Sequence, residues 1–291
     1  MSAVLKHELK NYFHSLTFYL FCAFLLIFVG IGAMIFNIQS AVANFEYVLE
    51  FVCVGMVVII PVLTMKVISE EKKQKTDQLL FSLPLSTTQV VLGKFFALLI
   101  IFLIPMCIIS VYPLIFAQFG DVYLLTSYGS ILAFFIMGAA MIAIGTFISS
   151  LTDNQGLAAG IAIVFMLLNY YSVRLAEYVS STAMGSLVTL LVILIAAAFL
   201  VRSLTENENL AYGIAIIGIL ALSAAYYFNN SIFEGLLPDI MSKLSLFERF
   251  YDFVDGVFDL TAIAFYLSVI IFFLFLTVQS LEKRSIPVIQ K

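Results

Sequence analysis

Six of the eight positions from 70 to 77 are charged: Glu70, Glu71, Lys72, Lys73, Lys75 and Asp77. Charge this dense could serve acid–base chemistry, metal binding, phosphate binding or contact with a partner. Catalysis finds little support. The two histidines, His7 and His14, sit near the N-terminus, and no HExxH pattern joins them to a glutamate. No serine has a His or acidic partner at a triad-like spacing. Gly93-Lys94 resembles the end of a phosphate-binding P-loop, but Thr88 stands where the first glycine belongs and Phe95 where Ser or Thr belongs. Cys22, Cys53 and Cys107 each lie in an apolar run without metal-ligand spacing, and read as small packing residues. The 70–77 cluster suits contact with a soluble partner; the alternative is a solvated loop that only supplies positive-inside charge.

The elements that carry this cluster are membrane spans. The 291 residues are 63% hydrophobic and only 11% charged, and mean hydropathy is +1.11. A soluble domain carries roughly 25% charged residues. Charge-free runs cover 11–45, 51–65, 95–120, 122–152, 154–173, 178–201, 209–233 and 260–281. A span needs about 20 residues. Seven runs qualify, and the short second one extends through Lys66, whose ammonium can snorkel to the interface. The expected fold is all-α: a polytopic helix bundle of about eight spans. Continuous rather than alternating apolar runs exclude a β-barrel. Leu16 to Phe36 is too long for a signal-peptide core and is expected to be an uncleaved first span.

Orientation follows from lysine and arginine. With both termini cytoplasmic, eleven of the fourteen basic residues lie inside, and only Arg174, Lys243 and Arg249 lie outside. No basic stripe suggests a nucleic-acid partner. Three segments read as amphipathic rather than spanning. Residues 1–16 carry Leu5, Leu9, Tyr12, Phe13 and Leu16 at helical spacing and are expected to lie on the inner surface. Residues 69–94 form a cytoplasmic hairpin: a helix over Glu70 to Phe81, a stop at Pro84, and a new helix capped by Thr87 or Thr88. Residues 235–259 form an outer-face segment, one helix or two broken near Gly256, acting as a packing lid or as a gate.

Inside the spans no charge sits at mid-depth, against the expectation for a proton- or sodium-coupled carrier. Ser110, Tyr112, Asn169 and Tyr170 are candidate pathway-lining residues, with interhelical hydrogen bonding as the alternative. Pro61, Pro105 and Pro113 are expected to kink or loosen their helices. Gly138, Gly145, Gly156 and Gly160 suggest close helix packing.

The run PVLTMKVISEEKKQKTDQLLFSLPLSTTQVVLGKF, Pro61 to Phe95, resembles the hallmark segment of ABC-2 type permeases. The resemblance is sharpest to the branch named for gliding-motility and copper-reductase-maturation permeases, through Pro61, Met65, Glu70, Glu71, Lys72, Lys73, Thr76, Leu79, Leu80, Pro84, Gly93 and Lys94. SSLTDNQ, Ser149 to Gln155, and the run from Phe250 to Arg284 are similar to that branch too. Two departures stand out. Many relatives carry glycine where this chain has Lys75, so tighter helix is expected there. The pair of spans within 178–233 is an added hairpin.

The resemblance implies a permease subunit with no catalytic site of its own, in a bacterial-type inner membrane. It implies a separate ATPase dimer that binds ATP, a second permease copy or paralogue, and export of a cargo such as a lipid, peptide, antibiotic or ion-linked molecule. Glu70, Glu71, Lys72, Lys73, Lys75, Thr76, Asp77, Leu79 and Leu80 are the implied ATPase-coupling residues. The glutamates are expected to fix the hairpin's angle through Lys72, Lys73 or the partner. The alternative is a membrane-anchored module that passes ATPase work to an outer-face accessory protein without moving cargo.

Overall fold

A computed structural model describes residues 2–76, 86–178, 181–205 and 208–289. Among them every regular element is helical. In chain order these are α1 (Ser2–Phe13), α2 (Leu16–Gly32, continuing as π-helix Ala33–Gln39), α3 (Glu46–Thr64), α4 (Ser69–Gln74), α5 (Thr87–Ile109), α6 (Tyr112–Phe116), α7 (Leu124–Leu151), α8 (Gln155–Tyr170), α9 (Ser172–Tyr178), α10 (Ala183–Thr205), α11 (Glu208–Phe228), α12 (Leu236–Lys243), α13 (Leu246–Val254) and α14 (Leu260–Ile289). The helices fall into two compact units, Met1–Tyr170 with Arg249–Lys291, and Tyr171–Glu248.

Among the described residues five helical segments are long and apolar enough to cross a membrane: Leu16–Gln39, Glu46–Gln74, Thr87–Phe116, Leu124–Leu151 and Leu260–Lys283. A sixth is counted if α8 and α9, broken at Tyr171, form one span. The eight charge-free runs also took in α10 and α11, whose apolar stretches Ala183–Ile195 and Ala215–Phe228 are shorter. The fifteen-residue run 51–65 gains its length at both ends, from Glu46 and through Lys66.

In the first unit α7 is the central helix, packed by α3, α5, α8 and α14. Phe21, Leu25, Met56, Ile60, Leu63, Phe102, Phe134 and Tyr266 fill its surroundings and are fully buried. Apolar side chains gain nothing over lipid tails by meeting one another, so tight van der Waals fit decides the packing. Gly138 and Gly145 provide that fit on α7: a Cβ would stand 2.3 Å from the Phe102 ring at the first and 2.2 Å from Thr64 Oγ1 at the second. Gly160 on α8 has open space around it, and Gly156 meets only the Asn154 side chain at 3.5 Å, so the expected glycine packing is confined to α7. Pro61 and Pro105 lie inside α3 and α5, while Pro113 stands in the first turn of α6 after a break at Ser110–Val111.

In the second unit α10 packs on α11, where Gly218 admits Leu194, and α9 packs on α12. Arg202 forms an ion pair with Glu208 between α10 and α11. The 235–259 segment is two helices, as one alternative had it, but the break falls at Leu244–Ser245 rather than near Gly256. Gly256, with φ of +83°, follows the end of α13 instead.

Candidate functional site

α4 is short for a physical reason. Glu70 and Glu71 occupy its first turn, and Lys72 and Lys73 its last, each matching the helix dipole. Lys75 then turns left-handed, with φ of 57° and ψ of 20°. Its N–H meets the Lys72 carbonyl at 3.2 Å, and the Thr76 N–H meets the Glu71 carbonyl at 3.0 Å. This is a Schellman stop. The helix expected over Glu70 to Phe81 therefore ends at Gln74, and the tighter helix expected at Lys75 is corrected to a left-handed turn. Glycine suits that position because it has no Cβ to strain. Lys75→Gly is expected to raise the thermal midpoint, relieving about 1 kcal/mol; an unchanged or lower midpoint would show the turn to be unstrained. Asp77, Leu79, Leu80, Phe81 and Pro84 lie outside the described residues. Among the described residues the next helix starts at Thr87 and is capped by Ser86, whose Oγ accepts the Gln89 N–H at 3.3 Å, rather than by Thr87 or Thr88.

Behind α4 stands Lys94 on α5, with only 2% of its surface exposed. Its ammonium donates to Glu71 Oε1 at 2.6 Å, to Glu8 Oε1 at 2.7 Å and to the Val67 carbonyl at 3.0 Å. All three ammonium protons are used. One cation thus joins α1, α4 and α5. Its Glu71 contact differs from the expected pairing with Lys72, Lys73 or a partner. Glu8 is a residue the sequence reading missed: α1 buries Val4, Glu8 and Tyr12, one face at four-residue spacing, while Phe13 and Leu16 of the expected stripe are exposed.

A second anchor holds the root of α4 to α7. Ser149 Oγ accepts the N–H groups of Ile68 at 3.2 Å and Ser69 at 3.1 Å, and donates to the Met65 carbonyl at 3.1 Å. Lys72 is buried, and its ammonium donates to the Ser150 carbonyl near the C-terminus of α7, where a cation is favoured. Ser280 of α14 donates to that same carbonyl at 3.3 Å. The SSLTDNQ phrase therefore supplies the seat of the charged hairpin, and its Asn154 side chain accepts the Gly156 N–H at 2.9 Å to start α8.

What α4 turns outward is different. Lys73, Gln74 and Lys75 are exposed, and Glu70 reaches Gln74 at 3.3 Å along the same face. Between α1 and α4 lies an open cleft of about 740 Å³, lined by Val4, Glu8, Tyr12, Glu70, Glu71 and Lys94 among others. The Tyr12 hydroxyl donates to the Leu63 carbonyl at 3.4 Å. Burial, with the carboxylates of Glu8, Glu70 and Glu71, holds that hydroxyl well above its ordinary pKa, so it remains protonated.

The candidate pathway residues form two separate sets of contacts. Ser110 Oγ donates to the Cys107 carbonyl at 2.7 Å, the Ser110 carbonyl accepts from Tyr128 at 2.9 Å, and Tyr112 stacks on Phe45 at 5.9 Å. Tyr170, next to Asn169 at the end of α8, hydrogen-bonds to Tyr251 of α13. None of these four lines the cleft beside α4, nor a groove of about 470 Å³ between α7 and the α13–α14 connection. The Ser110 side chain thus bonds within its own helix, whereas the Tyr170–Tyr251 bond runs between helices.

At that far end of the bundle α13 is tied down. Ser130 donates to the Phe253 carbonyl at 2.8 Å, Arg249 lies 4.3 Å over the Phe265 ring, and Phe134 meets Phe250 edge-on. Glu46, buried at the start of α3, accepts from Ser127 at 2.8 Å. Partial burial and then the carboxylates of Asp259 and Asp255 raise Asp252 from its ordinary pKa, against Arg249. A raised folded-state pKa means ionisation weakens the fold, so this strain grows as pH rises through the carboxylate range. Asp252→Asn is expected to raise the thermal midpoint at pH 7 and to lose that advantage near pH 3. An equal gain at both pH values would contradict the assignment.

The family model described as ABC-2 family transporter protein matches residues 2–185. The chain belongs to the ABC-2 transporter family. Comparison with curated proteins returns no match. As an ABC-2 chain it is a permease subunit of an ABC transporter and a multi-pass membrane protein. The matched region of this ABC-2 permease runs from α1 to the start of α10. It includes Glu8, Glu71, Lys94 and Ser149, so both anchors of α4 lie within the family's own segment.

Proposed function

We propose that this permease forms a substrate pathway as a dimer, with a second copy or a paralogue, and exports cargo under the drive of a separate ATPase. The chain crosses the membrane eight times, with both termini in the cytoplasm of a bacterial-type cell. That orientation is supported by the placement of eleven basic residues on one side. The α1–α4 face meets the ATPase. ATP binds to that partner, whose closure pushes α4, and the anchors at Lys94 and Ser149 pass the push to the spans.

One observation carries this reading. α4 is held rigidly to α5 and α7 on its inner side, while Glu70, Lys73 and Lys75 remain outward. A solvated loop that merely retained positive charge would need no such buried anchoring. The division also separates the adjacent glutamates: Glu71 holds the lever, and Glu70 faces the motor.

The test is recovery of the ATPase with the full-length chain in mild detergent. Reversing the outward charges, Glu70→Lys with Lys73→Glu, is expected to weaken ATPase recovery at least about tenfold, a loss of ~1.4 kcal/mol, with the thermal midpoint unchanged. Undiminished recovery would rule out this face as the docking surface.

A second reading has the ATPase work passed to an accessory protein on the outer face, without cargo. The anchoring of α13 onto α7 and α14 supports it, because a fixed helix can transmit displacement. Cargo-stimulated ATP hydrolysis favours export; an outer-face protein recovered without such stimulation favours the second reading.

A further inference from the structure

Two carboxylates share one buried ammonium at the base of the α1–α4 cleft, and they come from opposite ends of the charged architecture. Glu71 belongs to the hairpin, whereas Glu8 lies on the N-terminal helix. Glu8 is itself only 8% exposed. We infer that Glu8 is a positioning residue that latches α1 to α4 through Lys94, so that the N-terminal helix and the hairpin move as one lever. The inference rests on the ATPase-driven permease reading for its consequence, but not for its geometry.

The physical case is a comparison of tethers. α1 reaches α2 through a break at His14–Ser15, a joint that allows the two helices to swing. α1 packs on α5, and Tyr12 adds a 3.4 Å hydrogen bond to the Leu63 carbonyl of α3. The Glu8–Lys94 bond, at 2.7 Å and shielded from water, is shorter and charge-assisted. It meets α4 at the same nitrogen, so displacement of α4 reaches α1 through a single side chain of α5. Glu70 cannot serve in place of Glu8, because its side chain runs along α4 to Gln74.

Spin labels on the exposed positions Lys6 and Lys73 report the latch. They are placed as cysteines in a chain whose Cys22, Cys53 and Cys107 are replaced by alanine. The expected result is one narrow inter-label distance, the same in the permease alone, in the nucleotide-free ATPase complex, and in the complex trapped with ATP and vanadate. Glu8→Gln should broaden or shift that distance by about 5 Å or more, a helix turn of slip. Glu8→Asp keeps the carboxylate and should leave the distribution narrower than Glu8→Gln does. A role in packing alone predicts the reverse, because glutamine is the closer match in shape.

A distribution that stays narrow in Glu8→Gln would overturn the latch. So would a wild-type distance that changes on trapping. The measurement on the permease alone decides the latch, and ATPase recovery is read from the unlabelled chain because Lys73 lies on the proposed docking face; failure to recover ATPase there would count against the motor-driven reading and not against Glu8.

Discussion

Lys94→Met is expected to lower the stability of this permease by about 3–5 kcal/mol, the cost of removing one partner from a buried ionic cluster. Methionine fills similar space, so the loss is electrostatic: Glu8 and Glu71 keep their places without the cation between them. The Val67 carbonyl loses its donor as well. The thermal midpoint in detergent is expected to fall by roughly 10 °C, on the scale of a few degrees per kcal/mol for a domain of this size. Glu8→Gln and Glu71→Gln added to Lys94→Met should recover most of the loss, because an uncharged set no longer buries unpaired ions. A midpoint for Lys94→Met within 2 °C of the parent, on the order of the effect of a surface change, would mean that water reaches the three side chains and that the anchor is not buried.

Gly145→Val should cost about 1–3 kcal/mol through overpacking. Its Cβ would stand 2.2 Å from Thr64 Oγ1 and 2.9 Å from Thr64 Cβ. Thr64 has little freedom to yield, since it is fully buried and its hydroxyl donates to the Ile60 carbonyl at 3.0 Å. The pair lies at the α3–α7 contact, just before the turn that leads into α4, so separating these helices also disturbs the Ser149 seat. Gly160→Ala is the control: with nothing around it, the substitution should be neutral or stabilise α8. Thr64→Ala combined with Gly145→Ala should recover part of what Gly145→Ala loses. Equal midpoints for the Gly145 and Gly160 variants would contradict the packing described for α7.

Local patterning made much of this molecule legible. The helical class followed from continuous apolar runs, and the charged hairpin stood out because six charges interrupt them. The face of α1 that packs on the protein was not legible because it contains a glutamate. Glu8 reads as solvent-facing until Lys94, 86 positions later, is seen beside it. Lys94 had been noted only as half of a failed phosphate-loop pattern and as part of a family motif. The end of α4 depends on a left-handed lysine, a conformation that L residues other than Asn and Asp rarely enter; the glycine of relatives was the one available signal. Ser149 and Ser150 were quoted as a family phrase, yet nothing in their spacing showed that they seat the hairpin. The Lys75 turn is local, but the other misses share a cause: each depends on a contact between residues distant in the chain, where periodicity carries no information.

The most direct test of the coupling claim is site-specific photo-crosslinking in the native membrane. A photoreactive residue replaces exposed Lys73 on α4, and a second chain carries it at exposed Phe258 beyond α13. The account predicts that position 73 captures an ABC ATPase and that position 258 does not. Capture of the ATPase from position 258, or its absence at 73 while it still co-purifies with the chain, would contradict the claim that α4 is where the motor meets this permease.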